Sequence, residues 1–282
     1  MNAPARFAIH QGTTERQWTF PQSIEGYARH GIRAVTVRRS LVEEFGVTNA
    51  ARLIADAGLK VLGVSRCAPL TDVDPVRIAE NHEENRRAIA VTAELSGTNL
   101  AMISNSLPEG SRDLAGARAR ALDALARLLP EARAAGVTLG LETIHPMRAA
   151  RGCVWNTLDQ ANTVCAELGE GTGLIVDAYH VWWDPNLESS ITASTGRIVS
   201  FQISDWLPDT QSAAGSDRGM PGDGVIDLRA MRDQVRATGF DGFDELELFS
   251  ERNWWQRDPN EVIEVAISRH REIFEDESSP VH

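Results

Sequence analysis

The order of apolar and polar segments predicts an α/β fold, a single-domain (β/α)8 TIM barrel. Short, nearly continuous apolar runs alternate with longer segments rich in Ala, Arg and Glu, and the alternation repeats about eight times along the chain. Continuous apolar runs are typical of strands that are buried on both faces, as in a parallel sheet. No Gly-x-Gly-x-x-Gly pattern follows the first run, which argues against a doubly wound sheet.

The predicted strands are these short apolar runs. Most of them lack the alternation of apolar and polar residues that a half-exposed strand shows. In chain order, they cover residues 6–10, 32–37, 59–65, 98–104, 137–142, 173–177, 198–204 and 243–249.

The segments between the strands carry apolar residues at helical spacing. The predicted helices cover residues 47–57, 75–96, 112–135, 157–168, 187–195, 227–238 and 259–275. Pro130 interrupts the third of them and predicts a kink or a break there. Gly58, Gly97, Gly136 and Gly239 stand where a helix ends before the next strand, as C-cap glycines do.

The 282 residues, 42% of them hydrophobic, suffice for one large core, and residues 1–282 are predicted to form one domain. The longest irregular stretch covers residues 206–226, and a loop of that length inside a compact domain is often functional. Residues 276–282 are expected to be a frayed tail.

The composition limits the classes of partner and the compartment. The net charge is −12 and no basic run occurs, which disfavours nucleic acid as a partner. Cys67, Cys153 and Cys165 lack metal or redox spacing and fit a reducing compartment. The N-terminus does not resemble a signal peptide, and no stretch approaches the roughly 18 apolar residues of a membrane span. We therefore expect a cytoplasmic, soluble protein without a membrane partner.

Polar side chains stand at the ends of four successive predicted strands. Glu142 ends strand five and Asp177 ends strand six, while Gln202 lies in strand seven and Glu245 and Glu247 lie in strand eight. The active site of a TIM barrel lies at the carboxyl ends of its strands. A single acid at such an end is more often a helix N-cap, as Asp177 would be by itself. Four successive strands with such a residue favour a shared site.

A divalent cation would reconcile the carboxylates of this predicted site. Without an adjacent Lys or Arg, converging carboxylates repel each other or take up protons. Carboxylate and carboxamide oxygens suit Mg²⁺ or Mn²⁺. Glu245 and Glu247 point to the same side of their strand, and Glu247 is slightly favoured because it lies nearer the carboxyl end. Glu245 then supports the site or lies lower in the barrel with a partner such as Arg38.

Five motifs resemble those of a known family. They are LETIHP, IVDAYH, FQISDW, DRGMPGDGVIDL and ELELFSERNWW. Together they resemble the xylose isomerase-like TIM barrel superfamily, and within it the sugar phosphate isomerase/epimerase branch with its inosose isomerases and ketose 3-epimerases. The resemblance runs from about residue 5 to 275, and the second half of the chain carries the specific motifs.

The resemblance implies one divalent metal ion, Mn²⁺, Mg²⁺ or Co²⁺, and two glutamates that move a proton next to a carbonyl. By motif position, the metal ligands are Glu142, Asp177, Gln202 and Glu247, and the acid/base pair is Glu142 and Glu247. It further implies that His180 contacts substrate hydroxyls or the metal site and that Arg218 holds substrate oxygens.

One position departs from the family pattern. Where the family has a strand-seven histidine, this chain has Gln202. A carboxamide oxygen is a harder ligand than imidazole and shifts the expected metal toward Mg²⁺ or Mn²⁺ and away from Zn²⁺. Relatives with this glutamine, similar to 3-dehydroshikimate dehydratases, carry out an elimination, so the reaction type stays open. The zinc-dependent endonuclease branch is not expected.

The expected function is isomerisation or epimerisation of a keto sugar or polyol-derived ketone, with the metal stabilising the enediolate that forms. One alternative is a metal-dependent lyase or dehydratase of a polyhydroxy keto compound, similar to 3-dehydroshikimate dehydratases or keto-glycoside eliminases. Another is a non-catalytic sugar-binding barrel.

Three more side chains are predicted substrate contacts, each with a structural alternative. His145 is either a hydroxyl contact or a structural histidine, and Arg66 is either a substrate contact or part of an ion pair. Trp182 either forms a wall of the sugar site or packs a loop on a helix. Trp254 and Trp255 are expected in packing or a subunit contact. The number of subunits is open, with a homo-oligomer as one expectation.

Overall fold

The computed structural model describes residues 3–210 and 215–275 and confirms the predicted (β/α)8 TIM barrel. Its strands close in chain order, every neighbouring pair is parallel, and β1 pairs with β8. The strands are β1 (Phe7–His10), β2 (Ala34–Arg38), β3 (Lys60–Ser65), β4 (Asn99–Met102), β5 (Thr138–Glu142), β6 (Thr172–Asp177), β7 (Ile198–Ile203) and β8 (Asp244–Leu246).

Helices surround the barrel. They are α1 (Phe20–Arg29), α2 (Arg39–Phe45), α3 (Val47–Asp56), α4 (Pro75–Glu94), α5 (Leu114–Ala134), α6 (Leu158–Leu168), α7 (Ala178–Val181), α8 (Leu187–Ala193), α9 (Leu228–Ala237) and α10 (Pro259–Phe274). The predicted helices are all present, and α1, α2 and α7 are additional. A local sign of α1 is in the sequence, because Thr19 and Gln22 form a capping box at its start.

Helix α5 runs through Pro130, so of the predicted kink or break the break is wrong, and the kink stays a prediction. Pro130 itself is exposed, while Leu128, Leu129 and Ala132 on the same turn are buried in the core. Burial of these side chains against the barrel holds the helix together, although Pro130 cannot donate a backbone hydrogen bond.

Three of the four predicted C-cap glycines are in the left-handed region, with φ of 70° at Gly58, 68° at Gly136 and 88° at Gly239. The fourth prediction is wrong by one residue, because Ser96 takes this conformation with φ 56°. Gly97 is needed for a different reason. A Cβ atom there would lie 3.2 Å from the carbonyl oxygen of Thr92.

The long loop predicted at 206–226 is irregular in its described part, with residues 211–214 outside it. Backbone bridges from Asp205 to Gly219 and from Asp217 to Ser250 hold its second half over the barrel mouth. The predicted tail at 276–282 lies outside the described residues. Within residues 3–210 and 215–275, no helix has the length and apolar character that a membrane crossing requires.

Candidate metal and substrate site

The polar side chains predicted at the strand ends come together at one mouth of the barrel. Glu142 and Asp177 are the last residues of β5 and β6, Gln202 lies in β7, and Glu247 follows the end of β8. All four are buried. Strand register places Asp177 beside Gln202 across the β6–β7 ladder. Parallel pairing thus brings these residues to one end of the barrel.

Asp177 is both a helix cap and a member of the site. Its Oδ1 accepts a hydrogen bond of 2.9 Å from the backbone N–H of Tyr179, which caps α7. Its Oδ2 accepts a hydrogen bond of 2.9 Å from Nη1 of Arg218. One oxygen of this carboxylate therefore caps a helix, while the other faces the cluster at the strand ends.

Arg218 adds a positive charge to this cluster of carboxylates. The sequence-based prediction of a metal site had assumed that no Lys or Arg lies beside them. Its Nη1 lies 3.1 Å from Oε2 of Glu247 as well as 2.9 Å from Asp177. The rings of Tyr179 and Phe249 flank the guanidinium at 4.6 and 4.9 Å. Burial works against its charge, but Asp177 and Glu247 raise the pKa of Arg218. Arg218 comes from the 206–226 loop, far from the strands in sequence.

The site still has an excess of negative charge. Burial, followed by the charges of Glu247 and Asp177, raises the pKa of Glu142 well above its ordinary value. Burial also raises the pKa of Asp177, although Arg218 opposes this. When all are ionised, three carboxylates and one guanidinium leave two negative charges. One divalent cation would neutralise them.

The donor set fits a divalent cation. Ligand atoms of Glu142, Asp177 and His180 lie within 4.8 Å of one another. Oε1 of the nearby Gln202 is also buried and has no hydrogen-bond partner. Such an oxygen loses free energy unless it binds something. Carboxylate, carboxamide and imidazole groups are all donors that divalent cations bind.

His180 lies inside this cluster. Its Nε2 is 3.5 Å from Oδ2 of Asp177 and 3.8 Å from Oε1 of Glu142. Arg218 Nη2 lies 3.2 Å from Nε2, and the backbone N–H of His145 lies 3.3 Å from Nδ1. Burial lowers the pKa of His180 to about 3, so the ring is neutral. The resemblance implied a contact of His180 with substrate hydroxyls or the metal site, and the structure places it among the candidate ligands.

His10 touches the other side of Glu247. Its Nδ1 accepts a hydrogen bond of 3.1 Å from the backbone N–H of Gly12, which leaves the ring proton on Nε2. This Nε2 lies 2.9 Å from Ser65 Oγ and 3.4 Å from Oε1 of Glu247. Burial lowers the pKa of His10 well below its ordinary value. Ser65 was missed from the sequence, although it is a polar residue that ends a strand, like Glu142 and Asp177.

A cavity of about 190 Å³ opens above these residues. The predicted residues that line it are Glu142, His180, Arg218, Glu247 and Arg66. Ser65, Phe249 and Trp255 also line it, as do Glu15 and Arg38. Trp255 was expected in packing or a subunit contact; its Nε1 donates a 3.1 Å hydrogen bond to the Gly12 carbonyl, which turns its ring toward the cavity.

A model of the xylose isomerase-like TIM barrel family matches residues 24–273. The chain belongs to this family. Over 246 residues it is 26% identical to a 3-dehydroshikimate dehydratase of Pseudomonas aeruginosa, covering 85% of the chain and 37% of the dehydratase. Over 238 residues it is 27% identical to an L-ribulose 3-epimerase of Mesorhizobium japonicum, covering 79% and 70%. An inosose isomerase of Bacillus subtilis is 29% identical over 155 residues, 51% of each chain.

The chain thus spans 37% of the length of the dehydratase and 51% of that of the inosose isomerase. Among solved structures, a protein of Sinorhizobium meliloti 1021 is 38% identical, with a TM-score of 0.94 over 96% of this chain and 98% of its own. An L-ribulose 3-epimerase structure, 22% identical with a TM-score of 0.74 over 98% and 100% of the two chains, shares the fold.

In this xylose isomerase-like barrel, Glu245 lies one layer below the site. Its partner is not Arg38, as the sequence suggested, because Arg38 pairs with Glu15 at 2.9 Å. Ser200 Oγ instead donates a 2.9 Å hydrogen bond to Oε2 of Glu245. Burial raises the pKa of Glu245 to about 7, against hydrogen bonds from the side chains of Thr36, Ser200 and Gln202.

Two predicted substrate contacts lie outside the cavity wall. His145 stacks on Trp206 at 4.4 Å, and Trp182 meets the same ring at 5.6 Å. Neither is among the described residues that line the 190 Å³ cavity of this barrel. The aromatic group packs beside the mouth, and a contact of His145 or Trp182 with substrate stays a prediction.

Proposed function

We propose that this barrel is a divalent-metal-dependent isomerase or epimerase of a keto sugar or polyol-derived ketone. The observation that carries the proposal is the placement of two buried glutamates, Glu142 and Glu247, on one cavity wall with Arg218. Two carboxylates facing one small cavity can remove a proton from a carbon atom and return it. The epimerase and isomerase names of the relatives agree with this chemistry.

Four side chains would hold the metal ion, namely Glu142, Asp177, Gln202 and Glu247, with His180 as a further donor. Mn²⁺ and Mg²⁺ suit this oxygen-rich set best, and Co²⁺ is a third candidate. One structural neighbour, 20% identical with a TM-score of 0.81, was solved with a zinc atom, and its likeness extends to the fold. When bound, the metal would polarise the substrate carbonyl and make the neighbouring C–H more acidic.

The contacts of Glu247 suggest which of the two glutamates removes the proton and which delivers one. Oε2 of Glu247 forms an ion pair with Nη1 of Arg218 at 3.1 Å, and its Oε1 lies 3.4 Å from Nε2 of His10. Such an environment suits a carboxylate, so Glu247 would remove the proton. Glu142 lines the same cavity and would then be the group that holds a proton and delivers it. Delivery to the opposite face of the same carbon gives an epimer, and delivery to the adjacent carbon gives an isomer.

The cavity wall would hold the rest of a small polyhydroxy substrate. Arg66 and Ser65 offer hydrogen bonds to hydroxyl groups, while Phe249 and Trp255 offer aromatic faces to sugar C–H groups. Arg218 would anchor the polar end of the substrate at the carboxylates. We infer a small, non-polymeric substrate from the cavity of about 190 Å³.

A lyase is the second candidate, favoured by a specific observation. Gln202 stands where the family has histidine, and a 3-dehydroshikimate dehydratase aligns over 85% of the chain. The same proton abstraction would then be followed by loss of a hydroxyl group from the next carbon, with Glu142 donating the proton that leaves as water.

Product analysis in deuterated water tests these candidates. Mn²⁺-loaded protein is incubated with a panel of ketoses, inososes and cyclic hydroxyketo acids. Solvent deuterium entering carbon without loss of water supports an isomerase or epimerase, while release of water supports a lyase. Sugar binding without either reaction, and without an effect of chelation, would favour a non-catalytic barrel and contradict both enzyme proposals.

A further inference from the structure

A buried carboxyl group beneath the predicted ligands has no role in the proposed chemistry. Glu245 lies in β8 inside the barrel and is 0% exposed. Its Cα is paired in register with that of Gln202 in β7, so the two side chains point into the barrel side by side. Ser200 donates to Oε2 of Glu245 at 2.9 Å, while Oε1 of Glu245 is buried and has no hydrogen-bond partner.

The Gln202 carboxamide has two chemically different ends, an NH₂ group that donates and an oxygen that accepts. Glu245 offers acceptor oxygens beside Gln202, so it favours the orientation in which the NH₂ end faces it. The other end, Oε1, is buried and has no hydrogen-bond partner. Gln202 is also the register partner of Asp177 on its other side. The free oxygen is therefore available to the carboxylate cluster.

We propose that Glu245 is a positioning residue that sets which end of the Gln202 carboxamide faces the metal. With the amide reversed, the NH₂ group would point at the cation and could not coordinate it. A ligand histidine is commonly oriented in the same way, by donating its second N–H to a carboxylate. The inference rests on the proposed function, because it requires Gln202 to be a ligand.

Mn²⁺ affinity, measured by calorimetry on metal-free protein, tests the inference without reference to turnover. Glu245→Met removes the acceptor and is expected to weaken Mn²⁺ binding about 10- to 100-fold. Glu245→Gln keeps an acceptor oxygen and should bind Mn²⁺ nearly as the wild type does. Ser200→Ala is the matched control, since it removes a partner of Glu245 without touching Gln202, and it should also bind normally.

A second pair of variants separates orientation from general loosening. Gln202→Glu has oxygens at both ends and needs no orientation. In that background, Glu245→Met should leave Mn²⁺ binding unchanged or strengthen it, because it removes a like-charged neighbour. The effect of Glu245→Met on Mn²⁺ affinity should therefore disappear or change sign when residue 202 is glutamate. An equal loss of affinity in both backgrounds would overturn the inference.

Gln202→Leu distinguishes the two levels of the proposal. If it binds Mn²⁺ as the wild type does, Gln202 is not a ligand, and that part of the proposed function fails together with the inference. If Gln202→Leu weakens binding and Glu245→Met does not, the inference alone fails. Thermal unfolding of each metal-free variant checks the fold. Glu245→Ala replaces Glu245→Met if the longer side chain prevents folding.

Discussion

Asp177 is a single side chain at the barrel mouth with two structural roles. One of its oxygens caps α7 while the other binds Arg218. The sequence predicted Asp177 from its place at a strand end, which is a local property. The different contacts of its two oxygens depend on Arg218, which lies in the long loop after β7.

Asp177→Asn is expected to separate these functions. Asparagine keeps an oxygen for the cap, so the thermal unfolding temperature should change little. The loss of charge should weaken Mn²⁺ binding at least about tenfold. Asp258→Asn is the matched control, because Asp258 caps α10 with a 2.8 Å hydrogen bond and lies away from the site. Unchanged Mn²⁺ affinity in Asp177→Asn would remove Asp177 from the ligand set.

Glu142→Gln and Glu247→Gln are each expected to lower turnover about 100- to 10,000-fold, because each removes one member of the acid/base pair. Turnover of the Mn²⁺-loaded protein is measured on a substrate from the deuterium experiment, at Mn²⁺ concentrations that saturate each variant. Glu188→Gln, an exposed change on α8, serves as the control. Full turnover in both site variants would refute the acid/base assignment.

Most strands and helices of the barrel form where the local sequence pattern predicts them. Exceptions occur where packing against the rest of the barrel offsets an unfavourable local residue. The strands and most helices lie close to their predicted ranges. Helix α5 continues through Pro130 because the buried side chains around it outweigh the lost backbone hydrogen bond. Ser96 adopts φ 56° beside Gly97, whose missing side chain is needed for close approach to Thr92.

Pro130→Ala should stabilise α5. Alanine restores a backbone donor and removes the ring clash inside the helix, while it also frees the unfolded chain slightly. We expect the free energy of unfolding to rise by about 2 kcal/mol, measured by urea denaturation. Ala126→Gly, on the preceding turn of α5, should change stability in the opposite direction. A drop in stability for Pro130→Ala would mean that this proline is favourable in α5.

The whole barrel decides the charge balance of its interior. Closure of β1 on β8 places His10 and Glu247, which are far apart in sequence, 3.4 Å from each other. The result is a buried interior that holds several ionisable groups close together. The free energy of unfolding of the metal-free protein should therefore change with pH, because burial shifts the pKa values of several of these groups.

Glu245 gives a pH test of this interior. Burial raises its pKa to about 7, so the folded state favours the neutral acid. This stabilisation is complete below the ordinary carboxyl pKa and is lost as the pH rises to about 7. Relative to Glu245→Gln, the metal-free wild type should lose about 2 kcal/mol of unfolding free energy between about pH 5 and pH 8. A constant difference between the two proteins would show that Glu245 ionises normally.

The buried histidines act in the opposite direction but cancel in that comparison. Burial lowers the pKa of His180 to about 3, so its contribution to stability is present above the ordinary histidine pKa and is lost as the pH falls. His10 behaves likewise. Because both variants keep these residues, the difference between them isolates Glu245.

The sequence by itself determined the barrel and the strand-end residues Glu142, Asp177, Gln202 and Glu247. Both follow from local patterns, since a buried strand must be apolar and the polar residue that ends it marks the mouth. Motif resemblance placed Arg218 and His180 at the site. Only the tertiary structure showed that Arg218 pairs with two of the carboxylates, that His180 lies beside Glu142 and Asp177, and that Trp255 turns toward the cavity. These placements depend on how loops 206–226 and 248–258 lie over the mouth, and contacts between residues far apart in sequence leave no local pattern.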